Sequence, residues 1–356
     1  MQRACVGVAL GLVLVSMPFP GCTCEPLSPL NHIIGPGSIS GRICDPGEGK
    51  GIYGADVYVV VKGEKVATTS DGNGDFNLAG VAPGTYTVYV DKGSFSTTLD
   101  DVVVSEGKPT ELPTDECIKP KAAQMFVVSG HDSVENVLQR IGYDNFTLVN
   151  SHDDDHTAAT SSWFLQAFSD LPTMQQNDVI FINCGPHEWA LDDFDQTQVN
   201  AALQNLRDYV EQGGELYVSD WAYDILERLY PDSATWYGDD TVEDDAQVAI
   251  AQSFTGAIVD ADLSAALAKD SVDLLFNQGQ VGVATSLGPN ATPLITADID
   301  VKTSSHDTEH LTDVPVLFEV KPDATAQGHV LYTSFHNGPN NTPDMDDVLR
   351  AIIFTL

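Results

Sequence analysis

From residue 37 to residue 104 the chain alternates short β-branched and aromatic runs with Gly-rich turns. Gly37 to Cys44, Ala55 to Lys62, Lys65 to Thr69, Asp75 to Leu78, Thr85 to Asp91 and Thr97 to Val104 each read as a strand. Short runs at this spacing, with no helical period between them, predict a small β-sandwich. From residue 122 the pattern changes to strands alternating with helices. Gln124 to Ser129, Phe146 to Val149, Asp178 to Cys184 and Glu215 to Ser219 read as strands, with helical periods over Val134 to Ile141 and Ser161 to Phe168. A longer helix, Thr197 to Gln212, places Val199, Leu203, Leu206 and Val210 on one face and stops at Gly213-Gly214. Apolar strands separated by amphipathic helices predict a mostly parallel sheet covered on both faces. Val281 to Ser286, Pro293 to Asp298, Val314 to Val320 and Val330 to Phe335 follow closely enough to be antiparallel additions, before a closing helix from Asp344 to Phe354. The predicted organisation is a β-sandwich at 37–117 and a doubly wound α/β domain at 122–356.

The first 36 residues fit neither pattern. Arg3 precedes an apolar run from Cys5 to Met17, too short to span a bilayer as a mature helix, which marks residues 1–21 as a signal peptide. Residues 22–36 then form a Pro- and Gly-containing tether. The sequence Phe19-Pro20-Gly21-Cys22 resembles the processing site of bacterial lipoproteins, although Phe19 and Pro20 stand where Leu and a small residue are usual. That resemblance implies acylation of Cys22 and anchoring in the cell envelope, at the outer membrane or a periplasmic face; ordinary secretory cleavage near Gly21 is the alternative. Acyl chains would supply the anchor at about 0.8 kcal/mol per buried methylene.

Composition narrows the partners. With 52 Asp or Glu against 16 Lys or Arg, the formal charge is −36, and there are too few cations for a nucleic-acid-binding surface. A hydrophobic fraction of 42% nevertheless supports folded cores. Cys44 and Cys117 bracket the predicted sandwich, and a disulfide between them would tie its ends together in an oxidising compartment.

Four motifs in the sandwich run in a recognisable order: Gly41 to Asp45, Gly54 to Val59, Thr69 to Phe76 and Val81 to Tyr86. Together they resemble the carboxypeptidase regulatory-like domain, which has a prealbumin-like fold; the resemblance implies a non-catalytic spacer or adhesive module. Within it, Asp71-Gly72-Asn73-Gly74-Asp75 spaces oxygen donors like a calcium loop, but Phe76 and Ala82 stand where a helix-loop-helix site needs Gly and Glu. A hairpin turn is the expectation.

A second resemblance covers the α/β portion. The strand Asp178 to Gly185, the helix ending Leu206 to Gly214, the strand Leu216 to Trp221 and the late strand Gly328 to His336 resemble the class I glutamine amidotransferase-like fold of trehalose-utilisation-type proteins. Catalytic members carry a cysteine on the turn that is here Ser219-Asp220-Trp221. The family's His maps onto His336, and its Glu onto Gly338. Glutamine hydrolysis is therefore not expected. Cys184, one strand-helix unit too early to be the nucleophile, reads as a buried core cysteine.

Strand-end residues remain as candidates for chemistry. His131 and Asp132 follow the first α/β strand, His187 and Glu188 the third, Asp220 the fourth and His336 a late one, where a crevice forms in open sheets. Histidines with carboxylates suit Zn²⁺ or a similar divalent cation, with His131, Asp132, His187 and Glu188 as ligands and Asp220 and His336 as catalytic groups; capping of strand ends in solvated loops is the alternative. The acidic segments His152 to His156 and Tyr237 to Asp245 read as a solvated loop and an insertion over the crevice. Two functions are thereby expected: an exported, lipid-anchored protein whose α/β domain binds a ligand or protein partner, or a metal-assisted hydrolase of glycan or peptide.

Overall fold

The computed structural model describes residues 35–112, 117–121, 123–150, 162–185, 191–192, 194–238, 246–303, 307–323, 325–338 and 341–356. The signal peptide, Cys22 and nearly all of the tether lie outside them, as do His152 to His156, His187, Glu188 and residues 239–245. No helix among the described residues is long and apolar enough to cross a membrane.

The amino-terminal fold is a seven-stranded β-sandwich. In chain order the strands are β1 (Gly37–Arg42), β2 (Asp56–Val61), β3 (Glu64–Thr69), β4 (Asp75–Val81), β5 (Gly84–Lys92), β6 (Phe95–Val104) and β7 (Pro109–Glu111). One sheet has the order β4-β1-β7 and the other β3-β2-β5-β6. Inward residues such as Ile39, Val57, Val59, Phe76, Val88 and Val90 alternate with outward polar ones, the pattern expected of two packed sheets. Cys44 and Cys117 form a disulfide with their Cα atoms 5.8 Å apart. The loop before β4 is a turn, as expected: Asp71 Oδ1 accepts from the backbone N–H groups of Asn73 and Asp75, and Gly74 takes φ +81°.

The second fold is a mixed α/β sheet of eleven strands with seven α-helices among the described residues. Its strands are β8 (Met125–Ser129), β9 (Phe146–Asn150), β10 (Val179–Ile182), β11 (Glu215–Ser219), β13 (Gln247–Ala249), β14 (Gln252–Ile258), β15 (Ser271–Phe276), β16 (Val281–Gly282), β18 (Ala291–Lys302), β19 (Thr308–Val320) and β20 (Val330–Thr333), while β12 (Ala234–Trp236) and β17 (Ala284–Leu287) pair separately. The main path runs β15-β14-β18-β19-β20-β11-β10-β8-β9. The five strands from β20 to β9 are mutually parallel; β15, β14, β18 and β19 extend them as an antiparallel wing. All four residues of β10, Val-Ile-Phe-Ile, are buried, as a central parallel strand with both faces covered requires. The helix Gln196–Glu211 is capped by the Asp195 side chain and buries Val199, Leu203, Leu206 and Val210. Gly213, at φ +104°, ends it.

The wing is where the sequence pattern and the structure differ most. The single strand expected at Val281 to Ser286 is two short strands with different partners, because a break at Val283 hands β17 to β12. β18 and β19 extend well beyond their apolar centres into a polar hairpin, where Thr308, Glu309 and His310 are exposed and carry no burial pattern.

The sandwich is not set apart as a free-standing spacer. One apolar cluster runs from Ile39, Val57 and Phe95 through Tyr143 and Val316 to Phe354 and Leu356. Phe95 packs its ring on Tyr143 at 4.9 Å and Phe354 at 5.1 Å. Backbone bonds cross the same junction, from Ser94 N–H to Leu356 O and from Gly47 N–H to Ile141 O. Gly93 fits here because a Cβ would lie 2.2 Å from the Leu356 carbonyl oxygen.

Candidate functional site

The parallel strands converge their carboxyl ends on one place. From β8 the chain crosses to β9 on one side and returns to β10 on the other, so the crevice opens between β8 and β10. Four strand ends meet there: Gly130 to Asp132 after β8, Asn183 to Gly185 after β10, Ser219 to Trp221 after β11 and Ser334 to Asn337 after β20. Gly130 permits the close approach of the first two, since a Cβ would fall 1.9 Å from Cys184 O. The His131 N–H donates to that same oxygen.

The centre of the site is a buried trio. His336 Nε2 lies 2.7 Å from Asp220 Oδ2 and 3.0 Å from Cys184 Sγ, and the thiol is 3.5 Å from the same carboxylate oxygen. None of the three is more than 3% exposed. Each is also tied down on its far side. Asp220 Oδ1 accepts from Gly282 N–H at 2.7 Å, His336 Nδ1 sits 3.1 Å from Asn277 Oδ1, and the Cys184 N–H donates to Ser219 Oγ at 2.9 Å. Asp220 occupies the sharp turn after β11 with φ +43°, a left-handed conformation that few residues besides glycine, asparagine and aspartate adopt.

Burial sets the charges. The Cys184 thiol is pushed well above its ordinary value by burial, then by the charges of Asp220 and Asp132, so it is a neutral thiol and not a nucleophilic thiolate. Burial also lifts the Asp132 carboxyl to about 7, against the downward pull of His336 and of the Ser219 hydroxyl, which donates to Asp132 Oδ2 at 2.6 Å. For His336 burial works against the charged form, but the Asp220 hydrogen bond and the charges of Asp220 and Asp132 more than offset it, and its pKa is raised.

The structure thus brings Asp220 and His336 together and adds Cys184, which the sequence pattern assigns only to the core. The thiol is buried as expected, but among polar groups. Its partners are 36 and 152 residues away in the chain, and no local spacing reports them. Of the cation ligands expected from sequence, His131 and Asp132 do not point to one place. His131 and Asp132 are consecutive, so they diverge: His131 is exposed and edge-on to Trp221, ring centroids 5.7 Å apart, while Asp132 is buried against Ser219. His187 and Glu188 lie outside the described residues. Among those residues, the side chains of ligand type that do converge are Cys184, Asp220 and His336.

Above the trio lies an open cleft of about 310 Å³ lined by His131, Trp221, Gln278, Gly279 and Gln280. Trp221 is half-buried, its indole N–H held by Gln280 O at 2.5 Å, and Gln278 Nε2 is 3.4 Å from His336 Nε2. Sequence reasoning passed over Trp221 and the Gln278 to Gln280 loop; the one signal for Trp221 was its place directly after the strand-end Asp220.

Comparison with known proteins bears on the sandwich. Residues 38–115 match the family model of the carboxypeptidase regulatory-like domain. No curated protein matches the chain. Among solved structures, a type II cohesin–X-dockerin complex from Acetivibrio cellulolyticus is 26% identical over 24% of this chain and 58% of that one, with a TM-score of 0.21. The major pilin subunit of Bacillus cereus is 22% identical over 24% of this chain and 30% of that one, TM-score 0.19. A glutamine amidotransferase from Thermotoga maritima is 7% identical over 61% of this chain and 76% of that one, TM-score 0.36. The chain spans less than two thirds of the cohesin–dockerin and pilin chains.

Proposed function

We propose that the protein is an exported, lipid-anchored component of the bacterial cell envelope whose α/β portion binds a ligand without transforming it. One observation carries the reading. The turn that would present a nucleophile presents Asp220, fully buried, with one oxygen on Gly282 N–H and the other on His336, while the only thiol nearby is neutral and sealed beneath. Among the described residues, no carboxylate, thiol or hydroxyl lines the cleft. What faces it is the Trp221 indole, the His131 ring and the Gln278 and Gln280 amides. An aromatic surface ringed by uncharged donors and acceptors suits a neutral polyhydroxylated ligand, a saccharide, better than an ion. Export is supported by the apolar run before Cys22 and by the Cys44–Cys117 disulfide, which persists in oxidising compartments.

Titration calorimetry and tryptophan fluorescence with a panel of neutral oligosaccharides, including N-acetylglucosamine oligomers, test the binding reading. Saturable binding that disappears in Trp221→Ala, with no product by chromatography, is the expected result. Turnover that vanishes in Asp220→Ala and His336→Ala would replace it with the metal-assisted hydrolase. Acyl labelling in a bacterial host that is lost in Cys22→Ser tests the anchor.

A further inference from the structure

Three side chains of different chemistry, from three separate strand ends, aim one donor atom each at a common point in the interior. We propose that Cys184 Sγ, Asp220 Oδ2 and His336 Nε2 form a zinc site that clamps the ends of β10, β11 and β20. The donor atoms all lie within 4.8 Å of one another. Thiolate, imidazole and carboxylate together are a ligand set that Zn²⁺ accepts and that Mg²⁺ or Ca²⁺ does not.

The groups behind the ligands match what a metal site needs. Asn277 Oδ1, 3.1 Å from His336 Nδ1, takes the proton of that nitrogen and leaves the Nε2 lone pair facing Cys184 and Asp220. The Gly282 N–H occupies Asp220 Oδ1 and leaves Oδ2 for the cation. A second, independent observation comes from Asp132. Its Oδ1 is buried with no hydrogen-bond partner, while Oδ2 accepts from the Ser219 hydroxyl at the end of β11. A buried carboxyl oxygen left unpaired beside three ligand atoms marks a place where a partner is missing. A cation supplies it.

The proton count is simple. Any proton on a ligand atom leaves on binding, giving thiolate, neutral imidazole and carboxylate around M²⁺, a cluster with no net charge. Gln278, whose amide lies 3.4 Å from His336 Nε2, or a water from the cleft completes four-coordination. With all three protein ligands buried, the ion would tie the ends of β10, β11 and β20 together. The inference therefore stands apart from the saccharide reading and either can fail alone.

The test uses the full chain with Cys5, Cys22 and Cys24 replaced by Ser, so that Cys184 is the sole thiol beside the disulfide. After chelator treatment, Co²⁺ titration is expected to give one equivalent with a near-ultraviolet thiolate-to-cobalt charge-transfer band, displaced by Zn²⁺. Cys184→Ser abolishes the band, and His336→Gln weakens binding at least tenfold. A folded protein without the band, or the same band in Cys184→Ser, overturns the proposal. Should Cys184→Ser not fold, zinc-edge X-ray absorption on the unsubstituted site decides: a sulfur neighbour at roughly 2.3 Å is expected, and a shell of nitrogen and oxygen alone overturns it.

Discussion

Replacing Asp132 by Asn should reverse in sign between acid and alkaline pH, and the structure gives the size of the effect. Burial raises this carboxyl from 3.8 to about 7. A group whose folded pKa lies above its unfolded one adds stability that is fully present below the unfolded value and is lost as pH rises through the folded one. For Asp132 the loss falls between about pH 4 and pH 7. At 1.36 kcal/mol per pKa unit, the protein with Asp132 ionised, at pH 8, is about 4 kcal/mol less stable toward unfolding than with Asp132 neutral. Asn keeps the acceptor for Ser219 Oγ and carries no charge, but its amide N–H would sit where Oδ1 now has no partner, at about 1–3 kcal/mol. Asp132→Asn should therefore gain on the order of 1–3 kcal/mol at pH 8 and lose a similar amount at pH 4. Urea denaturation from pH 4 to pH 9, with chelator present so that no cation neutralises the site, measures this. Some slope survives in the variant, because His336, also raised, loses its own contribution as pH rises through its folded pKa. Parallel stability curves for the two proteins would refute the assignment of a buried, neutralised carboxyl.

Two further outcomes follow from packing. Replacing Cys44 and Cys117 by Ala opens a link across 73 residues and should lower stability by about 4 kcal/mol by the loop-entropy relation; a loss under 1 kcal/mol in guanidinium denaturation would contradict it. Phe95→Ala removes a fully buried ring from against Tyr143 and Phe354 and should remove about 3–5 kcal/mol, with sandwich and α/β signals melting together by circular dichroism. Separate transitions in the parent protein would show that the shared core does not couple the two folds.

What the sequence disclosed depended on whether the information was local. Six of the seven sandwich strands, the buried run of β10 and the helix from Gln196 to Glu211 are periodic signals and were legible; the three-residue β7, Pro109–Glu111, was too short to show one. The antiparallel wing was legible only in part. β14 was hidden because Ser253, Thr255 and Ala257 face water and dilute its apolar residues, and β15 because Ser271 and Asp273 do the same. At the site, Asp220 and His336 could be placed at strand ends by counting elements. Their contact with Cys184 could not, since it depends on β10, β11 and β20 being neighbours in a sheet whose order the chain does not spell out. Nor could the consequence of burial for Asp132, because nothing in a Gly-His-Asp triplet tells which side chain turns inward.

The shared core between the sandwich and the α/β fold bears on how such a chain can be recombined. A carboxypeptidase regulatory-like segment is expected to behave as a cassette, joined to whatever follows by a pliable seam. Here the seam is stitched: Tyr143 and Phe354 pack on the Phe95 ring, and Arg350 reaches across to Asp45 and the Gly51 carbonyl. Transplanting residues 38–115 into another protein would uncover an apolar flank on both pieces. A substitution on one face of the seam therefore takes its cost from the residues on the other.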